Sequence, residues 1–310
     1  MLKDVSVETT SRKWIRRRKM PKIAYKEITF RGASLDTIHL VNKVIEEYEG
    51  MGYDLTLRQL YYQLVARGYI ENSDRSYKRV GELINNARLA GLVDWYSITD
   101  RTRNMKSRSH WNSPGQIIES AINQYFIDLR KDQPHYIEVW VEKEALVEVV
   151  GKACHGLDVP YFACRGYVSQ SEMWAAAQRL RSMEQFCEGS VILHLGDHDP
   201  SGVDMTRDIQ ERLAMFGAAT VVRRIALTYD QVQAYNPPPN PAKLTDSRCK
   251  AYIKQFGNES WELDALNPTV IHDLITEHVD ELTDFELLRS RKERLREEKD
   301  IMQQYLEMME

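Results

Sequence analysis

The chain has 310 residues, 43% hydrophobic and 28% charged, a composition that suits two compact domains plus an arm or tail. No apolar run approaches the roughly 18 residues of a membrane-spanning helix, and a basic cluster stands where a secretory signal would have its apolar core. Cys154, Cys164, Cys187 and Cys249 form no C-x-x-C pair, which argues against a disulfide framework or a Cys₄ zinc site and for a reducing cytoplasm.

The net charge of −4 is unevenly laid out. Residues 1–31 carry ten Lys/Arg against three Asp/Glu, and residues 58–109 carry ten against five. From residue 258 to the end the balance reverses to six against fifteen. A polyanion would therefore meet the front of the chain, while a bland reading leaves a disordered basic arm and a solvated acidic helix.

Taken in chain order, residues 1–33 are the basic arm. Residues 34–110 read as three helices followed by extended segments, with a strand over 92–98. A helical connector, placed over 116–130, occupies 111–134. Residues 135–235 alternate strand and helix: strands at 136–141, 159–164, 190–195 and 219–227, helices at 145–154, 170–186 and 202–215. Such alternation predicts a mainly parallel four-stranded sheet with helices on its faces and a site at the carboxyl ends of its strands. The Pro-rich run 236–241 breaks this block. Residues 236–310 complete the chain with a helix over 267–282 and a charged helix from 284 onward. The fold class is α/β plus α.

The expected strand ends carry acid. The first strand runs into Glu142-Lys143, and the third into Asp197-His198-Asp199-Pro200-Ser201-Gly202. Residues two apart in extended chain project the same way, so Asp197 and Asp199 can share a cation. Three carboxylates at adjoining strand ends repel unless a cation or proton intervenes, and a small set of hard oxygens suits Mg²⁺. Asp197-x-Asp199-x-Ser201-Gly202 also matches the opening of a calcium-binding EF-hand loop, but it follows a buried strand and contains Pro200. The plainest alternative has these acids merely capping helices.

A second constellation lies upstream. In Leu55-Thr56-Leu57-Arg58-Gln59-Leu60-Tyr61-Tyr62-Gln63-Leu64-Val65, Thr56 and Gln59 form a capping box. Leu57, Leu60, Tyr61, Leu64 and Val65 make the apolar stripe, so Tyr61 belongs to the core. Tyr62 lies about 100° further round, beside Arg58 at i−4, which makes it the reachable hydroxyl with a neighbouring cation. A helix over 76–89 follows, exposing Lys78, Arg79 and Arg88. Beyond it come Arg101, Arg103, Lys106 and Arg108, a helix–turn–helix with a basic wing suited to phosphate contact.

Strand–Glu, strand–helix, strand–Asp-x-Asp resembles the TOPRIM domain. Val141-Glu142-Lys143-Glu144 with Gly196-Asp197-His198-Asp199-Pro200-Ser201-Gly202, together with the Arg58…Tyr62 helix, is most similar to the A subunit of topoisomerase VI, a family that includes the meiotic double-strand-break proteins. The resemblance implies a winged-helix (CAP-like) domain, then a TOPRIM domain, then a helical C-terminal tail. It implies a tyrosyl–DNA link through Tyr62 with Arg58 assisting, Mg²⁺ on Glu142, Asp197 and Asp199, and double-stranded DNA as partner. Lys78, Arg79, Arg88, Arg101, Arg103 and Lys143 would bind the DNA. It further implies a homodimer, with ATP used only through a separate ATPase B-type subunit, since no Gly-rich phosphate loop occurs here. The length resembles compact stand-alone A-type subunits of microbial, plasmid or phage settings. Two other readings stay open: a TOPRIM nuclease using metal-activated water, and a non-catalytic DNA-binding regulator.

Overall fold

A computed structural model describes residues 22–53, 55–98, 110–242 and 245–309. The chain divides into two compact units: Pro21–Thr99 with Asp132–Thr283, and a second one whose described residues are 110–131 and 284–309.

The larger unit begins with α1 (Gly32–Gly50), α2 (Leu57–Ala66) and α3 (Asp74–Leu89). The expected capping box starts α2: Thr56 Oγ1 accepts from Gln59 N, and the Gln59 side chain accepts from Thr56 N. Ser73 caps α3. The strand expected over 92–98 is absent. Only Ile98 bridges Leu55 there, because local side chains hold the segment bent. The Arg88 guanidinium donates to the carbonyls of Trp95 and Ile98, and Asp94 accepts from Tyr96 N.

α4 (Pro114–Gln124) belongs to the second unit, and it ends earlier than the sequence indicates because Tyr125 is extended. The larger unit resumes with β1 (His135–Val141), a 3₁₀ turn (Glu144–Leu146), α5 (Val147–Leu157), β2 (Tyr161–Ala163), α6 (Gln170–Met183), β3 (Gly189–Leu195), α7 (Pro200–Met215) and β4 (Val221–Ala226). The four strands form one parallel sheet in the order β2-β1-β3-β4. Both faces are covered, so the strands read as continuous apolar runs. Val139, Val141, Leu193 and Leu195 join the core shared with α1, α2, α3 and α5. Trp140 and Ile192 join the opposite core under α6 and α7.

The region after the sheet holds more structure than its proline content indicates. α8 (Tyr229–Tyr235) starts on a Thr228–Gln231 capping box. β5 (Asn240–Pro241) pairs antiparallel with β6 (Glu259–Ser260), with α9 (Cys249–Phe256) between them. A 3₁₀ turn at Leu263–Ala265 leads into α10 (Pro268–Asp280), which packs on α5 and β4.

In the second unit, α11 (Phe285–Met309) lies against α4, and Glu298 accepts from the Tyr125 hydroxyl at 2.6 Å. Among the described residues no helix is long and apolar enough to cross a membrane.

Candidate functional site

β1 and β3 run side by side with Val141 opposite Leu195, so Glu142 and residues 196–199 leave from adjoining strand ends. Glu142 Oε2 accepts from Asp197 N at 2.9 Å. Two glycines permit this approach. A Cβ on Gly196 would stand 3.0 Å from Glu142 Oε2, and one on Gly202 would collide with the Asp197 carbonyl oxygen. Asp199 caps α7, accepting from Gly202 N at 2.6 Å and from Ser201 Oγ at 2.9 Å. The capping role foreseen as the plain alternative is therefore filled by Asp199, but not by Asp197 or Glu142.

Asp197 is 7% exposed. Its Oδ1 accepts from Leu263 N at 2.7 Å and lies 2.9 Å from Lys143 Nζ. Burial pushes its carboxyl up to about 8; Lys143 opposes the rise, while Glu142, Glu262 and Asp264 add to it. Burial likewise raises Glu142, with Asp199 adding to the effect. Lys143 stays charged: burial disfavours its ammonium, but Asp197, Asp264 and Glu262 outweigh that. One ammonium among three carboxylates leaves excess negative charge, which adds to burial in disfavouring the ionised form of Asp197.

The loop that carries the carboxylates rests on a half-buried arginine in β4. Arg224 donates to the carbonyls of Gly196 (2.9 Å), Asp197 (2.6 Å), Gly202 (2.8 Å) and Leu227 (3.1 Å). It thereby fixes the loop that carries both aspartates.

The donors suit Mg²⁺ in kind, being hard oxygens crowded enough to take up protons. They do not converge as they stand. Among the described residues no three His, Cys, Asp or Glu side chains are set to hold a metal ion, and Lys143 supplies positive charge at Asp197 instead.

Tyr62 and Arg58 reach the same place. Arg58 Nη2 lies 3.4 Å from the Tyr62 hydroxyl and 3.0 Å from Glu262 Oε2. Its Nε is 3.3 Å from Asp264 Oδ2, close enough for charge attraction although that oxygen makes no hydrogen bond. Glu262 and Asp264 both pair with Lys143 as well. Residues 262–264 thus bridge α2 to the acidic strand ends. They also cover the second face of α2, so Tyr62 is only 6% exposed and does not stand on a surface edge as its helical position indicates. Burial raises its phenol pKa, Glu262 and Asp264 raise it further, and Arg58 draws it back.

The expected DNA-binding residues divide three ways. Lys78 and Arg79 are exposed on α3. Arg88 is engaged within the chain, stacked over Trp95 and bonded to the 95–98 loop, and Lys143 is engaged in the carboxylate cluster. Arg101 and Arg103 lie outside the described residues. Sequence reasoning missed Glu262, Asp264 and Arg224. The alternation Trp261-Glu262-Leu263-Asp264-Ala265 was a usable signal, since an acid between buried apolar residues needs a partner.

Compared with known protein families and with curated proteins, the chain matches none.

The raised Asp197 carboxyl has a testable sign. The folded chain binds a proton that the unfolded chain has already released, so stability present near pH 4 is lost as pH rises toward about 8. With metal absent, the loss should reach about 1–3 kcal/mol, below the full value of the shift because the surroundings relax and water enters around an ionised buried carboxylate. Urea midpoints across this range should fall for the native chain and flatten for Asp197→Asn. A native profile that rises between pH 5 and 8 would contradict the assignment.

Proposed function

We propose that the chain is a Mg²⁺-dependent DNA-cleaving transesterase of the topoisomerase VI A-subunit kind, with its helical block a winged-helix domain and its sheet a TOPRIM domain. One observation carries this reading: the Arg58–Tyr62 pair and the acidic strand ends, 80 residues apart from Tyr62 to Glu142, are tied together by Glu262 and Asp264. In the reaction the Tyr62 phenol loses its proton and its oxygen bonds to phosphorus. The phosphorus–sugar oxygen bond breaks, and the freed sugar hydroxyl takes up a proton. Arg58 stabilises the phenolate and the phosphate under attack. Mg²⁺ on Glu142, Asp197 and Asp199 would supply charge stabilisation on phosphate oxygen. Lys78 and Arg79 hold the duplex backbone. The reading places the chain in the cytoplasm as a homodimer, with any ATP use in a separate B-type subunit.

A second reading, a hydrolytic metal nuclease with Tyr62 standing by, draws support from the burial of Tyr62 and its long 3.4 Å approach to Arg58. End-labelled duplex incubated with Mg²⁺ and stopped with denaturant separates the two. Protein-linked ends are expected. Free ends alone would favour the nuclease, and salt-sensitive binding without cutting under any metal would favour a non-catalytic regulator.

A further inference from the structure

We propose that Arg58 and Lys143 form an anion subsite for one backbone phosphate of the substrate, and that the Glu262 carboxylate fills this subsite until the phosphate displaces it. The inference rests on the DNA reading and adds where the phosphate sits and what guards that place. Glu262 bridges the two cations, through Arg58 Nη2 at 3.0 Å and through Lys143 Nζ. Asp264 bridges the same two, at 3.3 and 3.0 Å. The two acids differ in depth. The Asp264 side chain is wholly buried, whereas that of Glu262 is 22% exposed. Asp264 is thus built into the fold and Glu262 forms the rim.

Charge and geometry favour exchange at the rim. Two cations face three carboxylates, Asp197, Glu262 and Asp264, so one carboxylate is in excess. A phosphodiester carries one negative charge and two free oxygens, as a carboxylate does, and a guanidinium accepts either in the same fork. The backbone beneath stays in place, because Leu263 N donates to Asp197 Oδ1 and Trp261 exchanges backbone hydrogen bonds with His198 at 2.8 and 2.9 Å. Only the Glu262 side chain has to turn outward. The nitrogen it vacates, Arg58 Nη2, is the one that faces the Tyr62 hydroxyl. A phosphate held there stands beside the phenol, and the removal of Glu262 also removes one of the charges that keep the phenol protonated.

The test uses the full chain at neutral pH, with inorganic phosphate as probe by calorimetry and labelled duplex by anisotropy. Glu262→Gln should bind phosphate about tenfold tighter than the native chain, since the competing charge is gone while side-chain size is kept. Glu259→Gln, an exposed acid on β6, controls for net charge and should change binding less than about twofold. Adding Arg58→Gln to Glu262→Gln should abolish the gain. Glu262→Asp, which keeps the charge on a shorter stem, serves if the Gln variant fails to fold, and should give an intermediate gain. Equal binding by the Glu262 and Glu259 variants, or weaker binding by the Glu262 variant, overturns the proposal. Tighter phosphate binding without tighter duplex binding supports the subsite and counts against DNA as its substrate.

Discussion

Tyr62→Phe is expected to abolish the protein-linked DNA end while leaving the fold intact. Loss of a nucleophile that works with its surrounding groups as a unit costs on the order of 10³–10⁶ in rate, since no neighbouring group takes its place. Tyr61, the adjacent phenol, cannot substitute. Its hydroxyl is held on the far side of α2, accepting from Ser73 N at 2.8 Å and lying 3.1 Å from Asn72 Oδ1. The cost to stability should be small. The Tyr62 hydroxyl loses only a 3.4 Å contact with Arg58, worth at most about 1 kcal/mol, and the ring remains. Thermal unfolding should therefore match the native chain within a few degrees while the adduct disappears. Adduct formation that survives in the variant would remove Tyr62 from the chemistry, and free ends made equally by both proteins would leave a metal nuclease.

The second large effect falls on stability. Arg224→Met should destabilise the chain by about 3–5 kcal/mol, since it strips the guanidinium donors from several backbone carbonyls at about 1–3 kcal/mol for each acceptor left unsatisfied. The carbonyl oxygens of Asp197, Gly202 and Leu227 would lose a side-chain donor, and a cation that holds the loop behind the carboxylates would be gone. Burial draws the guanidinium pKa down to about 10, so it is still charged at neutral pH. Arg224→Lys should recover only part of the loss, because an ammonium cannot present two donor nitrogens to opposite sides of the loop. Urea unfolding of the three proteins measures this. A difference under about 1 kcal/mol between native and Met variants would show that the loop holds its shape without the guanidinium.

The sheet was legible because each strand is a short apolar run with a helix-forming stretch after it, and four such units admit few arrangements. The start of α2 was legible because Thr56 and Gln59 act within one turn. The nearness of Glu142 to the 196–199 loop was legible because β1 and β3 lie side by side in such a sheet. What escaped depends on long-range contact. The burial of Tyr62 comes from residues 262–264, two hundred positions downstream, and helical periodicity around Tyr62 carries no trace of them. The strand expected over 92–98 failed for a local reason: Arg88 takes up its carbonyls in place of a ladder. The proline run marked the end of α8 at Tyr235 but concealed the short β5–β6 pair and the α9 helix between its strands.

The distance in sequence between the two halves of the site has a consequence for the newborn chain. Synthesis delivers Tyr62 first, then the acidic strand ends, and only much later the turn at Leu263–Ala265 and the helix α10 that packs behind it on α5 and β4. A polypeptide stalled or cleaved before residue 262 owns its nucleophile candidate and all three strand-end acids, yet nothing to seat Arg58 against Lys143. Completeness of translation is thereby written into the geometry, and a truncated fragment is an unassembled tool.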